Sequence, residues 1–376
     1  MAVPNGKYFT IDLNDAMDNA VLTTLNLSDF FSVATSVYRD DPRYIPEEKD
    51  TIRSLFSSEN PFFESGTLWG KVVQEEARLI GMVHPDFGGI AYFGFWETVC
   101  DFSLNQELFA EFEDWAKSLG CHRVEGPINF STFFTYRILI DGMAHSLPFP
   151  REPYSPTYYP DILLGLGYSL SQSYFSDFVS SYDFSTTDVS LQTVGGTTIH
   201  PLSKTIWESR FDDFLVAIQK IFSKKEYYSP SQLAVCSATN YAFIGRLLCP
   251  NASFYATNQD GHIIGIYIVM PHYGELTCQG RPNCISINDI DYDRHYPQLN
   301  QKIALIKTIG VTPEWAKTSL FFALSQQALS ACRQFYPDGG IMALTSELTR
   351  RLIPGFVVQS TARYGVFAKN LDLTLS

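Results

Sequence analysis

Basic residues are scarce in this sequence. Its 376 residues carry 27 lysines and arginines against 40 aspartates and glutamates, which gives a formal net charge of −13 at pH 7. Nucleic acids and anionic membrane surfaces are bound through basic patches, so this balance argues against both as partners. A cationic substrate such as an amine is compatible with it.

Long apolar runs and a secretory leader are also lacking. No stretch reaches the length that a membrane-spanning helix needs, and the first residues do not follow a signal-peptide pattern. We therefore expect a soluble cytoplasmic protein without a membrane span.

The seven cysteines form no CxxC pair. Their number is odd and they are scattered along the chain, so we expect reduced and mostly buried thiols rather than a disulfide framework. Cys278 and Cys284 share one loop, but no further pair of histidines or cysteines completes a site. No metal cofactor is expected.

Apolar and aromatic residues, by contrast, are plentiful. The chain is 45% hydrophobic and 18% charged, with 29 phenylalanines and 21 tyrosines. This composition predicts a globular protein with an aromatic core, and some of the rings could line an apolar or cationic pocket. The length predicts two domains.

The chain also repeats itself. Residues 78–81 (RLIG) match residues 262–265 (HIIG), an offset of 265 − 81 = 184, and residues 166–168 (LGY) match 354–356 (PGF), an offset of 355 − 167 = 188. Each copy follows the order hairpin, strand, helix, strand, helix, strand. That order predicts an α/β fold of the α+β type, with helices on the faces of a mixed sheet. The predicted domains are residues 1–190 and 191–376.

Residues 302–329 form the most informative stretch. Residues 303–311 are mostly apolar or β-branched and predict a buried strand. Thr312 suits a helix N-cap, Pro313 suits a first helical position, and a helical period follows from Ser319. A strand that leads directly into a helix exposes backbone N–H groups, which suit an anion or the polar end of a cofactor.

This stretch resembles the fourth strand, carrier loop and third helix of the GNAT acyltransferase superfamily. The loop of that family, Gln/Arg-x-x-Gly-x-Gly/Ala, falls on residues 316–321 of this chain. Ser319 and Phe321 occupy the positions of its two glycines. Side chains at these positions hinder the close approach of a pyrophosphate, whereas the single phosphate of a carrier-protein arm needs less room.

Three segments of the first half extend the resemblance. FGFWE (93–97), GPIN (126–129) and PYSPTYYPDILLGLGY (153–168) resemble a bacterial group of two-domain GNAT-like proteins. Together with the order of the elements, the resemblance covers nearly the whole chain and implies two tandem GNAT-like domains.

The resemblance implies transfer of an acyl group from a thioester to an amine. The donor is an acyl-CoA or an acyl carrier protein bearing phosphopantetheine, and the two remain equally open. The donor lies on the second copy, where the strand, loop and helix have the right spacing. The residues expected to hold it are Ile309, Gly310, Val311, Ala316, Lys317, Thr318, Ser319 and Leu320.

Candidate catalytic residues come mainly from the first copy, because the second lacks a carboxylate or histidine on the strand before the loop. Glu97 ends an aromatic strand, where a charge is costly unless it is paired or used. Asn129 follows Gly126-Pro127 at the end of a strand, where α/β sheets bind ligands. Tyr364 on the last strand is a substitute for the general acid of the family. A salt-bridged Glu97 and an Asn129 that caps a turn are the structural alternatives.

Candidate substrate-binding residues are Tyr154, Tyr158 and Tyr159, in a proline-rich segment that would cover this end of the sheet, and His272 in the polar insert 271–300. The alternatives are tyrosines that only pack and a solvated loop histidine. A site shared by the two copies, with the donor on the second and the acceptor over the first, accommodates all of these residues.

We therefore expect an N-acyltransferase whose acceptor is a lysine- or ornithine-type side chain, a polyamine or an amino-acid intermediate, as a small molecule or within a peptide. The aromatic content and Phe321 favour an acyl group longer than acetyl, such as a fatty acyl group. Two alternatives stay open. One is a non-catalytic tandem GNAT module that binds a ligand, and the other is a transferase that uses aminoacyl-tRNA, against which the net charge argues.

Overall fold

The computed structural model describes residues 7–11, 26–182, 195–352 and 357–372. The strands of the first half are β1 (Lys7–Ile11), β2 (Thr67–Val73), β3 (Ala77–Val83), β4 (Ile90–Thr98), β5 (Arg123–Gly126), β6 (Ile138–Asp141) and β7 (Ser169–Val179). Its helices are α1 (Leu27–Val37), α2 (Lys49–Leu55), α3 (Phe102–Ser118) and α4 (Tyr159–Gly165).

The second half has the same plan. Its strands are β8 (Thr198–Pro201), β9 (Phe254–Thr257), β10 (Ile263–Pro271), β11 (Ala304–Val311), β12 (Gly340–Ser346) and β13 (Val358–Asn370). Its helices are α5 (Lys204–Ser209), α6 (Phe211–Phe222), α7 (Gln232–Thr239), α8 (Ile244–Leu247), α9 (Gly274–Thr277), α10 (Tyr292–His295), α11 (Leu320–Phe335) and α12 (Glu347–Leu352).

All of these strands join one mixed sheet. Its order is β1-β2-β3-β4-β5-β13-β7-β12-β11-β10-β9-β8, and β6 pairs with β13 beside this path. The order is symmetric about the central pair, so β1 to β5 of the first half correspond to β8 to β12 of the second. The internal repeat predicted from the offsets is therefore visible as two matching runs of five strands.

The two halves exchange their last strands. β13 lies next to β5 and β6 of the first half, and β7 lies next to β12 of the second half. β7 and β13 then pair with each other along most of their length, from Ser169–Ala368 to Val179–Val358. The predicted boundary between residues 190 and 191 lies outside the described residues, and the division into 1–190 and 191–376 stays a prediction.

Helices cover both faces of the sheet in each half. In the first half, α3 buries Phe109 and Phe112 against one face, while α1 buries Phe30 against the other. In the second half, α11 buries Leu324 on one face and α6 buries Phe214 on the other. This arrangement confirms the predicted fold class, a mixed α/β sheet flanked by helices.

Each half contains one pair of neighbouring parallel strands that separate. β4 pairs with β5 only from Ile90 to Tyr92, and β11 pairs with β12 only from Ala304 to Ile306. Beyond these residues the ladder between the two strands ends, and residues that follow it line the cavities described below. Both openings lead into cavities.

One predicted helix is interrupted. The pattern of residues 232–248 predicts a single helix, but the structure has α7, a 3₁₀ turn at Tyr241–Phe243 and α8. Two side chains explain the break. Asn240 donates a hydrogen bond to the carbonyl of Phe133 (3.1 Å), and the indole N–H of Trp207 donates to the carbonyl of Tyr241 (3.0 Å). These tertiary contacts compete with continuation of the helix.

Two kinds of feature are absent from the described residues. None of their helices is long and apolar enough to cross a membrane. Nor does this part of the chain group three or more histidine, cysteine, aspartate or glutamate side chains so that they could hold a metal ion.

Candidate active site

The first cavity occupies the opening between β4 and β5. It has a volume of about 290 Å³. Many charged side chains line its wall, among them Glu97, Glu152, Arg78, Arg151 and Lys307. Lys307 belongs to the second half and the other four to the first. The cavity is therefore built from both copies.

A β-bulge in β4 forms one side of this cavity. β3 pairs through Arg78 with Glu97 and through Ile80 with Gly94, so two residues of β4 face one of β3. Phe95 within the bulge has a φ of 50°, an uncommon conformation for a bulky residue. Its N–H donates to Oδ1 of Asn129 at 2.7 Å. Asn129 thus lines the cavity, but its amide oxygen is already used to hold the bulge.

Glu97 lies just after the bulge, and its side chain is only 17% exposed. The hydroxyl of Tyr159 donates a hydrogen bond to its Oε2 at 2.7 Å, and Arg78 Nη2 lies 4.0 Å from its Oε1. Burial raises the pKa of Glu97 to about 7, with Glu47 adding to the rise and Arg78 opposing it. Near neutral pH this carboxyl can therefore both release and accept a proton.

Arg78 shows why Glu97 is left partly uncompensated. Its guanidinium is 1% exposed and pairs with both carboxylate oxygens of Glu47, through Nη1 at 3.0 Å and through a shorter contact from Nη2. It also donates to the carbonyls of Phe95 (3.0 Å) and Phe30 (2.9 Å). One buried cation therefore faces two carboxylates and binds Glu47 much more closely than Glu97.

A second carboxyl, Glu152, lies in the same cavity. Tyr364 donates a short hydrogen bond to its Oε1, and the N–H of Phe149 donates to Oε2 at 3.0 Å. Burial raises the pKa of Glu152 to about 7. Tyr364 itself is fully buried and lines neither cavity, so its catalytic role stays a prediction.

Lys307 enters the cavity from a bulge in β11. β10 pairs through Ile268 with Thr308 and through Val269 with Ile306, which leaves Lys307 as the extra residue. Its Nζ lies 3.3 Å from the carbonyl of Arg151, to which it donates. Burial lowers the pKa of Lys307 to about 7, helped by Arg151 and Arg137 and opposed by Glu152. The bulges of β4 and β11 thus place ionisable side chains in one cavity from both halves.

The second cavity occupies the opening between β11 and β12 and has a volume of about 710 Å³. One part of its wall is apolar, formed by Ile244, Leu247, Met270 and Ile287. Arg137, Arg151 and Lys307 line both cavities, so the two adjoin at these residues.

The strand predicted to hold the donor borders the second cavity. Ile309 is part of its wall. Val311 pairs with Gly265 of β10, and Gly310 pairs with Ile266. A Cβ on Gly310 would lie 2.4 Å from Cγ2 of Ile221 in α6, so this glycine permits close packing of α6 on β11.

The predicted carrier loop has a different start from the one expected. Thr312 and Pro313 begin a 3₁₀ turn, Pro313–Trp315, without a side-chain cap, and α11 begins only at Leu320. Thr318 Oγ1 donates to the carbonyl of Trp315 (2.7 Å) and accepts from the N–H of Leu320 (3.3 Å). The side chain of Leu320 is buried in the core.

The rest of that loop is at the surface. Ala316, Lys317, Thr318 and Ser319 are exposed and belong to the wall of neither cavity. Their distance from the cavities is compatible with a role in holding the polar end of a long donor, which stays a prediction.

The predicted substrate-binding residues separate into two groups. Tyr154 and Tyr159 line the first cavity, and Tyr154 donates a short hydrogen bond to Asp41. Tyr158 lines neither cavity and donates to the carbonyl of Thr98 at 2.7 Å. Its position fits the alternative of a packing tyrosine.

His272 also lines neither cavity. Its Nδ1 accepts from the N–H of Gly274 at 3.0 Å, and Nε2 lies 3.0 Å from the carbonyl of Leu147. Burial lowers its pKa to about 4, so the ring is neutral at pH 7. Both nitrogens are occupied by backbone groups, and the side chain is buried rather than solvated. These surroundings give substrate binding by His272 no support.

Several charged residues of the cavities were not among the site residues predicted from the sequence. They are Glu47, Arg78, Arg137, Arg151, Glu152 and Lys307. Arg78 and Lys307 carried a usable signal, because each is a charge within an otherwise apolar strand, like Glu97. Glu152 and Arg151 lie in a loop next to prolines, where charges are common, and only the tertiary structure brings them to the site.

Comparisons with known proteins were made for the whole chain. No protein-family model matches it. Over 161 residues it is 27% identical to Protein YghO of Escherichia coli (strain K12), a match that spans 39% of this chain and 41% of that protein.

Among solved structures, the chain is similar to a tandem GNAT protein from the clavulanic acid biosynthesis pathway, with 13% identity and a TM-score of 0.47 over 98% of this chain and 99% of that one. It is also similar to Eis1 from Mycobacterium abscessus, with 10% identity and a TM-score of 0.45 over 98% and 74% of the two chains. Both TM-scores lie below 0.5, so the fold is defined by the strand order and the two openings of this chain itself.

The strand order repeats in the two halves around the central pair, β13 and β7. In each half the order of the elements agrees with the GNAT resemblance of the sequence.

Proposed function

We propose that this protein is an N-acyltransferase that moves an acyl group from a CoA or carrier-protein thioester to an amine. The observation that carries the proposal is the junction of the two cavities at Lys307. There the opening of β11 and β12, where the donor is expected, adjoins a cavity that contains Glu97 and Glu152.

The donor belongs to the second half in this proposal. Its pantetheine arm runs along Ile309, Gly310 and Val311, and its phosphate lies over residues 316–320. Backbone N–H groups at the start of α11 suit that phosphate. The thioester then reaches the bulge of β11 and meets Lys307.

The acceptor amine enters the first cavity. An amine arrives protonated at pH 7 and is not a nucleophile until a base removes the proton. Glu97 has a pKa of about 7, so an ionised fraction is present at that pH. Tyr159 holds the carboxyl in position through its 2.7 Å hydrogen bond.

The chemical step forms a C–N bond and breaks a C–S bond. The neutral amine attacks the thioester carbonyl, and the ammonium form of Lys307 stabilises the oxyanion of the tetrahedral intermediate. Glu97 passes the first proton to solvent before the attack, so its carboxylate can take the second proton from nitrogen when the C–S bond breaks. The thiolate leaves and is protonated by Lys307 or solvent. The products are an amide and a free thiol.

The second cavity favours an acyl group longer than acetyl. Its 710 Å³ exceed what an acetyl group needs, and Ile244, Leu247, Met270 and Ile287 provide an apolar wall for a chain. A fatty acyl donor is therefore the first to test.

A second candidate function is a module that binds a thioester or an amine without turnover. Ser319 and Phe321 replace the glycines of the family loop, and Ile221 packs closely over Gly310. The first feature narrows the space for a pyrophosphate, and the second narrows the space for the pantetheine arm.

The test is incubation of the purified chain with acetyl-, octanoyl- and palmitoyl-CoA and with the matching acyl carrier proteins, each with a panel of amines. Free thiol is measured by a chromogenic reagent and the amide by mass spectrometry. We expect amide formation with a medium or long acyl donor. Binding of donors without release of thiol under any pairing supports the binding module and rejects the transferase.

A further inference from the structure

One buried guanidinium at the junction of the cavities has no acidic partner in the part of the chain that the structure describes. Arg137 is 6% exposed and lines both cavities. Its Nε has no hydrogen-bond partner among the described residues, while Nη1 donates a 3.4 Å hydrogen bond to the carbonyl of Leu344. Within the same ranges, no carboxylate forms an ion pair with it.

Three other arginines differ from Arg137 because each pairs with a carboxylate. Arg78 pairs with Glu47, and Arg151 binds both carboxylate oxygens of Glu48 at 2.7 Å. Arg350 binds both oxygens of Asp177, at 2.6 and 2.8 Å. Carboxylates neutralise these three arginines, whereas Arg137 is a buried cation that lines the cavities, which is costly unless a ligand completes it.

The guanidinium is also held rigidly. The ring centroids of Tyr136 and Tyr174 lie 3.8 and 3.9 Å from its central carbon, and the backbone at Arg137 has a φ of 76°. Close aromatic contacts favour binding of a ligand at the edge of the guanidinium, where the N–H groups point. A planar oxyanion suits that edge, because two parallel N–H groups can donate to its two oxygens.

We propose that Arg137 binds an oxyanion of the ligand, and that this oxyanion is the carboxylate of an amino-acid acceptor whose amine is acylated. This inference rests on the proposed N-acyl transfer and narrows its acceptor. A polyamine would add cations beside an unpaired guanidinium and Lys307, so it is disfavoured. An amino acid supplies the missing negative charge and an amine from the same molecule.

The same chemistry could come from a phosphate of the donor. The position of Arg137 favours the acceptor, since it lines the first cavity together with Glu97 and Glu152 as well as the second. The predicted phosphate position at residues 316–319 belongs to neither cavity wall.

The first experiment uses the unaltered protein and pairs of acceptors that differ only in the carboxylate, namely lysine with cadaverine, ornithine with putrescine, and phenylalanine with phenethylamine. We expect a KM lower by about 10- to 100-fold for the amino acid of the preferred pair, the size of one charge-assisted bidentate contact. Equal KM values within every pair that turns over would overturn the inference and leave acyl transfer intact.

The second experiment compares Arg137→Lys and Arg137→Gln with a matched control, Arg246→Lys. Arg246 also lies over a ring, that of Phe243 at 4.9 Å, and donates to a carbonyl, that of Asn288 at 2.8 Å, but it lines neither cavity. We expect both Arg137 variants to abolish the preference for the carboxylate, with the KM for the decarboxylated amine nearly unchanged. A change in the KM of the donor alone would assign the oxyanion to the donor and reject the amino-acid acceptor.

Calorimetry separates this inference from the proposed function. The amino acids are titrated into unaltered protein and Arg137→Gln without any donor. Binding that depends on Arg137, in the absence of turnover with every donor, would support the carboxylate subsite and reject the transferase. Turnover of amino acids with no dependence on Arg137 in binding or KM would reject the subsite.

Discussion

Tyr159 donates a hydrogen bond to Glu97 across 2.7 Å and so joins the start of α4 to the end of β4. The same hydroxyl accepts from the N–H of Thr98 at 2.8 Å, which fixes its orientation. The carboxyl therefore has a fixed donor on Oε2, while its Oε1 lies 4.0 Å from Arg78. Because its carboxyl is held in a fixed orientation, substitution of Glu97 tests directly whether this residue is the general base.

We expect Glu97→Gln to lower kcat/KM for N-acylation by about 10²- to 10⁴-fold, the usual contribution of a general base. Glutamine has nearly the same shape and can still accept the hydrogen bond from Tyr159, but it cannot take a proton. Donor binding, measured by calorimetry, should change little. The assay is initial thiol release at saturating donor.

Glu113→Gln is the matched control for this variant. Glu113 is also buried and binds Lys369 through both oxygens, at 2.9 and 2.8 Å, but it lies on α3 and lines neither cavity. Its substitution should leave kcat/KM within about twofold, as expected for a site distant from the chemistry. Full activity of Glu97→Gln would exclude Glu97 as the base.

The stability of the protein should depend on pH through Glu97. Its pKa is about 7 in the folded protein and near the ordinary 4.5 when unfolded, so between these values the folded state binds more protons. The free energy of unfolding contributed by this group therefore falls as pH rises from about 4.5 to 7 and is constant above. Glu97→Gln lacks this loss and should be more stable than the unaltered protein at pH 8, by on the order of 3 kcal/mol.

The measurement is urea denaturation of both proteins at pH 5, 6, 7 and 8. The difference should be small at pH 5 and largest at pH 8. Glu152 contributes a slope of the same sign to both proteins and cancels in the difference. Lys307, with a pKa lowered to about 7, adds stability as pH rises above 7 and also cancels. A difference that is independent of pH would mean that Glu97 does not titrate in this range.

Gly310 is expected to be intolerant of a side chain for a steric reason. Its Cβ would lie 2.4 Å from Cγ2 of Ile221, and the helix α6 that carries Ile221 packs on the sheet. We expect Gly310→Ala to lower the free energy of unfolding by about 1–3 kcal/mol, as overpacking does. It should also raise the KM for the donor, because Gly310 belongs to the strand that borders the second cavity.

The double variant Gly310→Ala with Ile221→Ala removes the clashing atom. It should be more stable than the sum of the two single changes predicts, since residues in contact are not additive. Urea denaturation of the four proteins gives the coupling. Strict additivity would show that the clash is relieved by another movement.

Much of the fold could be predicted because local residue patterns determine its helices, strands and turns. The hairpins, the β11 strand and the helix after it have apolar periods and turn residues that predict them, and RLIG and HIIG both fall at matching strands, β3 and β10. The exchange of β7 and β13 could not be predicted from the sequence. The same apolar faces would be buried if each half kept its own last strand. Register across distant strands is set by tertiary packing.

The residues of the candidate site likewise divide into those that a local sequence pattern indicates and those that only the tertiary structure brings together. Glu97 was recognisable as a charge in an aromatic strand, and Tyr159 lies beside it. Glu152, Arg151 and Arg137 carry no local signal, because their burial results from loops that fold over the cavity. Asn129 looked catalytic by position, yet its oxygen holds the bulge at Phe95.

The strand exchange predicts that neither half of the chain folds alone. Without residues 191–376, β5 loses its partner β13, and both edges of β7 are left unpaired, because β13 lies on one side of β7 and β12 on the other. These edges are in the middle of the sheet, where β7 and β13 contribute buried residues such as Tyr174, Val179, Tyr364 and Val366. An exposed apolar edge of this kind favours aggregation over a stable monomer.

We therefore expect residues 1–190 and residues 191–376, produced separately, to lack a cooperative unfolding transition and to aggregate on size exclusion. Produced together, they should assemble into a complex with the circular dichroism spectrum of the whole chain. The control is the whole chain with a protease site inserted between residues 183 and 194, cut after folding, which should stay associated. A first half that is monomeric and unfolds cooperatively would show that β13 is dispensable, and that the two predicted domains are independent folding units despite their shared sheet.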